Sequence, residues 1–312
     1  MTPIALVGIG KIATDQHVPA LAASPDFTLA ATVSLEGTVA GIPAYTTLAE
    51  MLAAQPEVRA LSFCVPPIPR YRLAAEALAA GRHVMLEKPP GASVAECRTL
   101  EAMARAQGTA LYASWHSREA AGVEAARAWL AGRRITRLHL TWQEDVRRWH
   151  PGQAWIFQPG GLGVFDPTIN AFSILTEIVP APFHVTGATL MVPENAQAPI
   201  AATMAFHLDG AEMTADLDFL KEGEQIWRIE VKTDAGTLTL ADGGARATVD
   251  GRDIGGGAAG DNATLAGEYP RLYANFAGLV AARAVDMDLA PMVHVADAYL
   301  LGQRVTVAAF HE

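Results

Sequence analysis

The sequence predicts an α/β fold in two parts: a doubly wound parallel sheet, then an α/β domain on a large, mostly antiparallel open sheet. Three observations predict it. A glycine-rich turn, Gly8-Ile9-Gly10-Lys11-Ile12-Ala13, follows the apolar run Ile4–Val7 and precedes a helical stretch. Strand-like and helical segments then alternate to about residue 118, the pattern of a parallel sheet covered on both faces. Beyond that point, several runs alternate in polarity, as in Glu212-Met213-Thr214-Ala215-Asp216-Leu217-Asp218-Phe219. Such alternation suits antiparallel strands with one covered face.

Residues 1–118 form the first predicted domain. The turn after the first strand has the G-x-G-x-x-A spacing of a dinucleotide fingerprint. Gly8 makes the tight turn, Gly10 lets a pyrophosphate approach the backbone, and Ala13 permits close helix–strand packing. Backbone N–H groups at Lys11 and Ile12 then face the phosphates. Further strands are expected at Thr28–Val33, Ala60–Cys64, His83–Glu87 and Ala110–Ser114. Capping boxes at Thr47/Glu50 and Ser93/Glu96 open two intervening helices, and Gly81 and Gly108 stand at helix C-termini. Together these define a Rossmann arrangement with ligand at the strands' carboxyl ends.

Three loops at that edge hold candidate residues. Ser34 and Glu36 follow the second strand. Glu36 can accept a hydrogen bond from a ribose hydroxyl and would repel a 2′-phosphate, and no arginine is present there, so NAD is favoured over NADP. A solvated turn residue is an equally good account of Glu36. Val65 and Pro66 lie in a stiff connection suited to run along a cofactor, with Cys64 beside them as a small core residue. Glu87-Lys88-Pro89-Pro90 puts a lysine on a stiff loop, where packing explains it poorly.

The second predicted domain spans 119–312. It opens with a helix over Glu119–Gly132, then strands at Ile135–Trp142, His184–Val192, Ile200–Leu208, Glu212–Phe219, Ile226–Thr233 and Gly236–Ala241. Between them, Glu144–Trp155 combines acids, arginines, two tryptophans and a histidine. Carboxylates for hydroxyls and aromatic faces for C–H surfaces are what a sugar site needs, whereas a charged strand end anchored by tryptophans is the structural alternative. Gly160–Asn170 follows, with Asp166 expected as a helix N-cap, Pro167 at the first helical position, and Asn170 one turn further on. Asp250–Asn262 reads as a glycine-rich loop near a substrate mouth, and Tyr269–Ala282 as a core helix. A final helix is expected over Val293–Phe310, able to dock back on the first domain.

Composition narrows the function classes. At 51% hydrophobic and 18% charged residues the chain is globular. A net charge of −10 disfavours nucleic acid and anionic membranes as partners. No apolar run is long enough to span a bilayer, no signal peptide is evident, and Cys64 and Cys97 read as reduced thiols, so a cytoplasmic location is expected. The histidines show no metal-ligand spacing, and no metal is expected.

Gly8-x-Gly10-x-x-Ala13, Glu87-Lys88-Pro89 and the glycine turn leading to Asp166 together resemble the Gfo/Idh/MocA oxidoreductase family over nearly the whole chain. The resemblance implies that Lys88 lies between nicotinamide and substrate, that Asp166 takes part in catalysis, and that the open sheet forms a homodimer interface. Much of that family has histidine four residues after the aspartate, where this chain has Asn170. That departure resembles the family's aldose 1-dehydrogenase branch, as do Ala113–Arg118, Glu144–Trp155, Gly160–Pro167 and Arg304–Phe310. The implied reaction is NAD(P)-dependent oxidation of an aldopyranose, D-galactose and also L-arabinose, to its lactone. Asp166 would be the base, Lys88 would polarise the reacting oxygen and Asn170 would orient it. Glu144, Trp149, His150 and His116 would bind sugar, with His116 and Glu87 also near the cofactor. The rival readings are another polyol or inositol dehydrogenase, or a sugar-sensing regulator without turnover.

Overall fold

The computed structural model describes residues 1–257, 265 and 267–312. The chain forms two compact units, Met1–His116 with Gly267–Leu289, and Ser117–Ala266 with Ala290–Glu312. The first starts with β1 (Thr2–Val7), a π-helical turn at Ala13–His17 and α1 (Val18–Ala22). It continues through β2 (Phe27–Val33), β3 (Ala44–Tyr45), α2 (Leu48–Ala54), β4 (Ala60–Phe63), α3 (Pro67–Ala79), β5 (His83–Glu87), α4 (Val94–Gln107) and β6 (Leu111–Ser114). All neighbouring strand pairs in this sheet are parallel. Strands covered on both faces need no polar alternation, and Ile4 to Val7 and Ala60 to Phe63 are buried without a break. The Thr47/Glu50 capping box is complete. At α4, Ser93 accepts from Glu96 N–H, but the Glu96 carboxylate reaches Ala92 N–H instead of Ser93's, which leaves the box half formed.

The second unit holds α5 (Val123–Leu130), β7 (Ile135–Gln143), α6 (Val146–Trp149), α7 (Phe165–Ile178), β8 (Phe183–Pro193), β9 (Ala201–Leu208), β10 (Ala211–Asp218), β11 (Ile226–Thr233), β12 (Gly236–Ala241), β13 (Arg246–Val249) and β14 (Arg252–Gly256). Met213, Ala215 and Leu217 are buried while Glu212 and Asp216 are exposed, the alternation that one covered face requires. The chain then returns to the first unit as α8 (Glu268–Ala282) and β15 (Val285–Asp286), and ends in the second as α9 (Ala290–Leu301) and β16 (Gly302–Val307). The strand orders are β15-β6-β5-β4-β1-β2-β3 and β14-β13-β12-β11-β7-β10-β9-β8-β16. Among the described residues of the larger sheet, β7 with β10 and β8 with β16 pair in parallel and the other pairs are antiparallel.

The expected 118/119 cut lies close to the 116/117 division of the two units, and 267–289 groups with the first unit. Several expected elements are corrected. The final helix stops at Leu301, and the rest of its expected span contains β16. Gly302 sits at the break, where an added Cβ would lie 2.4 Å from Ala298 O, and the β-branched Val305-Thr306-Val307 favours a strand. The helix expected from Glu119 is a 3₁₀ turn at His116–Glu119 followed by α5. Of the expected Asp250–Asn262 loop, Arg252–Gly256 pairs with β13 as β14, while 258–262 lie outside the described residues.

Candidate active site

The first unit gathers the fingerprint and its neighbouring loops at the carboxyl edge of β1, β2 and β4. Gly8 has φ +92°, and a Cβ there would meet Val65 Cγ1 at 2.7 Å, so turn and packing both demand glycine. Gly10 is the opposite case: among the described residues, its chain neighbours aside, no heavy atom lies within 4 Å of its would-be Cβ, which leaves the open approach a pyrophosphate needs. The Ser34 hydroxyl accepts from Ile9 N–H at 3.3 Å and Gly37 N–H at 3.2 Å, tying the β2 loop to the glycine turn. Ile12 and Val65 are half-buried, Pro66 and Glu36 are exposed, and Lys11 is exposed and paired with Asp15. Leu35 stands out at 86% exposure, and no cationic side chain lies within Ser34–Gly37. Open backbone, exposed ribose-side residues and a helix start fit a dinucleotide.

The half-buried Lys88 follows β5 on a loop whose Lys88–Pro89 peptide is cis. Arg70 of α3 is 2% exposed and stitches this loop to its neighbour. Its guanidinium donates to Val65 O, Glu87 O and Pro89 O. Glu87 turns inward. Its Oε2 accepts Lys88 N–H at 2.9 Å, and its Oε1 accepts from His17 Nε2 at 3.0 Å and Tyr269 O–H at 2.8 Å. The Glu87 carboxylate, expected near cofactor, is therefore committed to protein partners. Burial works to raise its pKa, yet the hydrogen bond and charge of His17, helped by His116 and Tyr269, lower it to about 2. Burial likewise works to lower His17, but Cys64, Tyr273 and Glu87 outweigh it and raise His17 well above its ordinary 6.5. His116, another expected site residue, is buried with Nδ1 2.6 Å from Glu268 Oε2.

In the second unit, Asp166 is 3% exposed in the first turn of α7. It is not the N-cap. Phe165 and Asp166 N–H already bond Leu162 O and Gly163 O, so the helix begins before Asp166, and Pro167 falls among the N-terminal positions that need no donor. Gly163 has φ +57°, and a Cβ there would sit 2.2 Å from Pro199 O. Across from Asp166, His150 Nε2 lies 4.0 Å from Asp166 Oδ2 and 3.6 Å from Glu144 Oε1. Glu144 Oε2 accepts from Trp227 Nε1 at 2.7 Å, and Trp149 Nε1 donates to Gln225 Oε1 at 3.2 Å. The indoles of Trp149 and Trp227 meet edge to face, 5.5 Å between centroids. Asn170, one turn beyond Asp166, is half-buried. The second unit thus brings together Glu144, Trp149, His150 and Asp166, with Asn170 one turn along the same helix.

Sequence reasoning missed His17, Arg70, Tyr269, Gln225, Trp227 and Glu268. Trp227 and Tyr269 come from segments read as strand and helix, Gln225 and Glu268 stand just before them, and only the fold shows their polar ends turned to the site groups. Tyr269 and Tyr273 were placed correctly as core, but the use of their hydroxyls leaves no periodic signal. Among the described residues no group of three or more His, Cys, Asp or Glu is arranged to hold a metal ion. Among them, too, no helix is long and apolar enough to cross a membrane.

Comparison with known proteins adds to this geometry. A family profile described as an oxidoreductase family with an NAD-binding Rossmann fold matches residues 3–114. A galactose 1-dehydrogenase of Pseudomonas fluorescens is 41% identical over 319 residues, covering 100% of both chains. The crystal structure of a D-galactose-1-dehydrogenase from Rhizobium etli superposes with a TM-score of 0.92 at 50% identity, covering 99% of this chain and 98% of that one. A 3-ketoreductase of Actinomadura kijaniata, in complex with NADP, shares the fold at a TM-score of 0.76 and 15% identity over 98% of this chain and 99% of that one.

Proposed function

The chain belongs to the Gfo/Idh/MocA family of NAD-binding oxidoreductases, and from that premise we propose that it is an aldose 1-dehydrogenase, oxidising D-galactose and also L-arabinose at the anomeric carbon. The observation that carries this reading is the cluster of Asp166, His150 and Glu144 beside the Trp149 and Trp227 indoles. Carboxylates and an imidazole address sugar hydroxyls, and indole faces suit the apolar side of a pyranose ring.

Gly8, Gly10, Lys11, Ile12, Ser34, Glu36, Val65 and Pro66 hold the dinucleotide, which supplies the hydride acceptor when bound. The anomeric C–H bond gives up its electron pair as hydride, the C1–O bond becomes the lactone carbonyl, and Asp166 takes the hydroxyl proton. Asp166 lies in the first turn of α7, with the His150 imidazole 4.0 Å from Oδ2. Lys88 polarises the same oxygen as negative charge develops on it. Asn170 orients that hydroxyl without exchanging protons, because an amide does not titrate near neutrality. Glu144, His150, Trp149 and His116 place the remaining hydroxyls and the ring. The acidic, cation-free β2 loop favours NAD over NADP. The open nine-stranded sheet is the surface we assign to a homodimer.

A scan of cofactor reduction across aldoses and polyols tests the reading. D-Galactose and L-arabinose should be the best substrates. Turnover of inositols alone, or binding without turnover, would replace it with one of the two rival readings.

A further inference from the structure

A lysine side chain ends four rotatable carbons from its backbone, so aiming its amine depends on how firmly the backbone is held. Just past β5, and before a proline that has no N–H, the Lys88 backbone N–H points at Glu87 Oε2, 2.9 Å away. That carboxylate is itself oriented from two sides. His17 Nε2 approaches from the π-helical turn and the Tyr269 hydroxyl from α8, both onto Oε1. His17 is fixed in turn by the Tyr273 hydroxyl, 2.7 Å from Nδ1. Tyr269 stacks on His116, 5.7 Å between centroids.

Packing does not explain this arrangement. His17 is fully buried and Glu87 nearly so, and apolar side chains of similar volume would fill the same space without the desolvation cost of two charged groups. What the polar cluster offers that an apolar core would not is directed hydrogen bonding, and one of those bonds is to the backbone of Lys88.

We propose that Glu87, His17 and Tyr269 are positioning residues for Lys88: the carboxylate holds the lysine's backbone, and the histidine and tyrosine hold the carboxylate. The proposal rests on the reading of Lys88 as the group that polarises the sugar oxygen. It makes α8, a segment returning from far along the chain, part of the machinery that aims a residue after β5.

Two variants test it in the full chain, Glu87→Gln and Tyr269→Phe, the second removing one hydroxyl while keeping the ring in the core. Hydrogen exchange at the Lys88 amide is the first readout and needs no turnover, so it is independent of whether the parent oxidises an aldose. Exchange there should quicken in both variants while Val84–Leu86 of β5 stays protected. The second readout is steady-state kinetics with D-galactose. kcat should fall about ten- to a hundredfold for Glu87→Gln, by less for Tyr269→Phe, with KM for NAD within about twofold. Unchanged exchange at Lys88 in either folded variant would overturn the proposal, as would losses of kcat that merely follow the fraction of folded protein. Failure of the parent to oxidise any aldose would instead remove the functional reading, leaving the exchange result to stand by itself.

Discussion

Asp166 is where residue chemistry and local structure meet most closely. It is 3% exposed, sits in the first turn of α7, and has the His150 imidazole 4.0 Å from Oδ2. If it accepts the anomeric proton, Asp166→Asn should lower kcat at saturating sugar by about a hundredfold or more, read in a steady-state assay of reduced nicotinamide. Glu36 gives a second residue-scale test. With that carboxylate exposed and no cation in its loop, kcat/KM for NAD should exceed that for NADP, and Glu36→Arg should narrow or reverse the ratio. At this scale part of the candidate site was legible. Gly8 and Lys88 stood out by their places after strands, whereas Asp166, Glu144 and His150 needed the family resemblance beside the mixed residue types around them. Trp227 and Tyr269 did not, because an aromatic in a strand or on an apolar helix face looks like core until its polar end is seen to face a carboxylate.

Among the elements, α3 holds the two cofactor-edge loops together through one side chain. Arg70 is nearly buried and satisfies carbonyls of Val65, Glu87 and Pro89. Arg70→Met keeps the stem but leaves those acceptors without their donor, and should cost about 2–4 kcal/mol in a denaturant melt. The strands of the first unit were readable because unbroken apolar runs between capped helices have few other solutions. The end of the chain was not. Val293–Phe310 is apolar enough for a helix, and only pairing with β8 turns its second half into β16, a nonlocal partner that no window of sequence contains. The start of α7 was misplaced for a related reason: backbone bonds to Leu162 O and Gly163 O make a side-chain cap unnecessary.

At the scale of the whole molecule, the buried His17–Glu87 pair links stability to pH in two directions. Glu87 has its pKa lowered from 4.5 to about 2, so its contribution is present above 4.5 and is lost as pH falls toward 2. His17 is raised well above 6.5, so its contribution is complete below 6.5 and is lost as pH rises through that raised value. Thermal melts of the parent should therefore fall away on both sides of a plateau that includes pH 4.5 to 6.5, and Glu87→Gln should flatten the acid limb. The two-unit organisation also divides the chemistry. The first unit carries the dinucleotide fingerprint and Lys88, and the second carries the acid–imidazole–indole cluster. The claim that joins them is that hydride leaves the anomeric carbon of the sugar. D-Galactose carrying deuterium at C1 tests it in one measurement, made by mass spectrometry of the reduced nicotinamide. The account predicts one deuterium in each reduced cofactor, formed together with the aldonolactone. Reduced cofactor without deuterium, or no reduction at all, would contradict it.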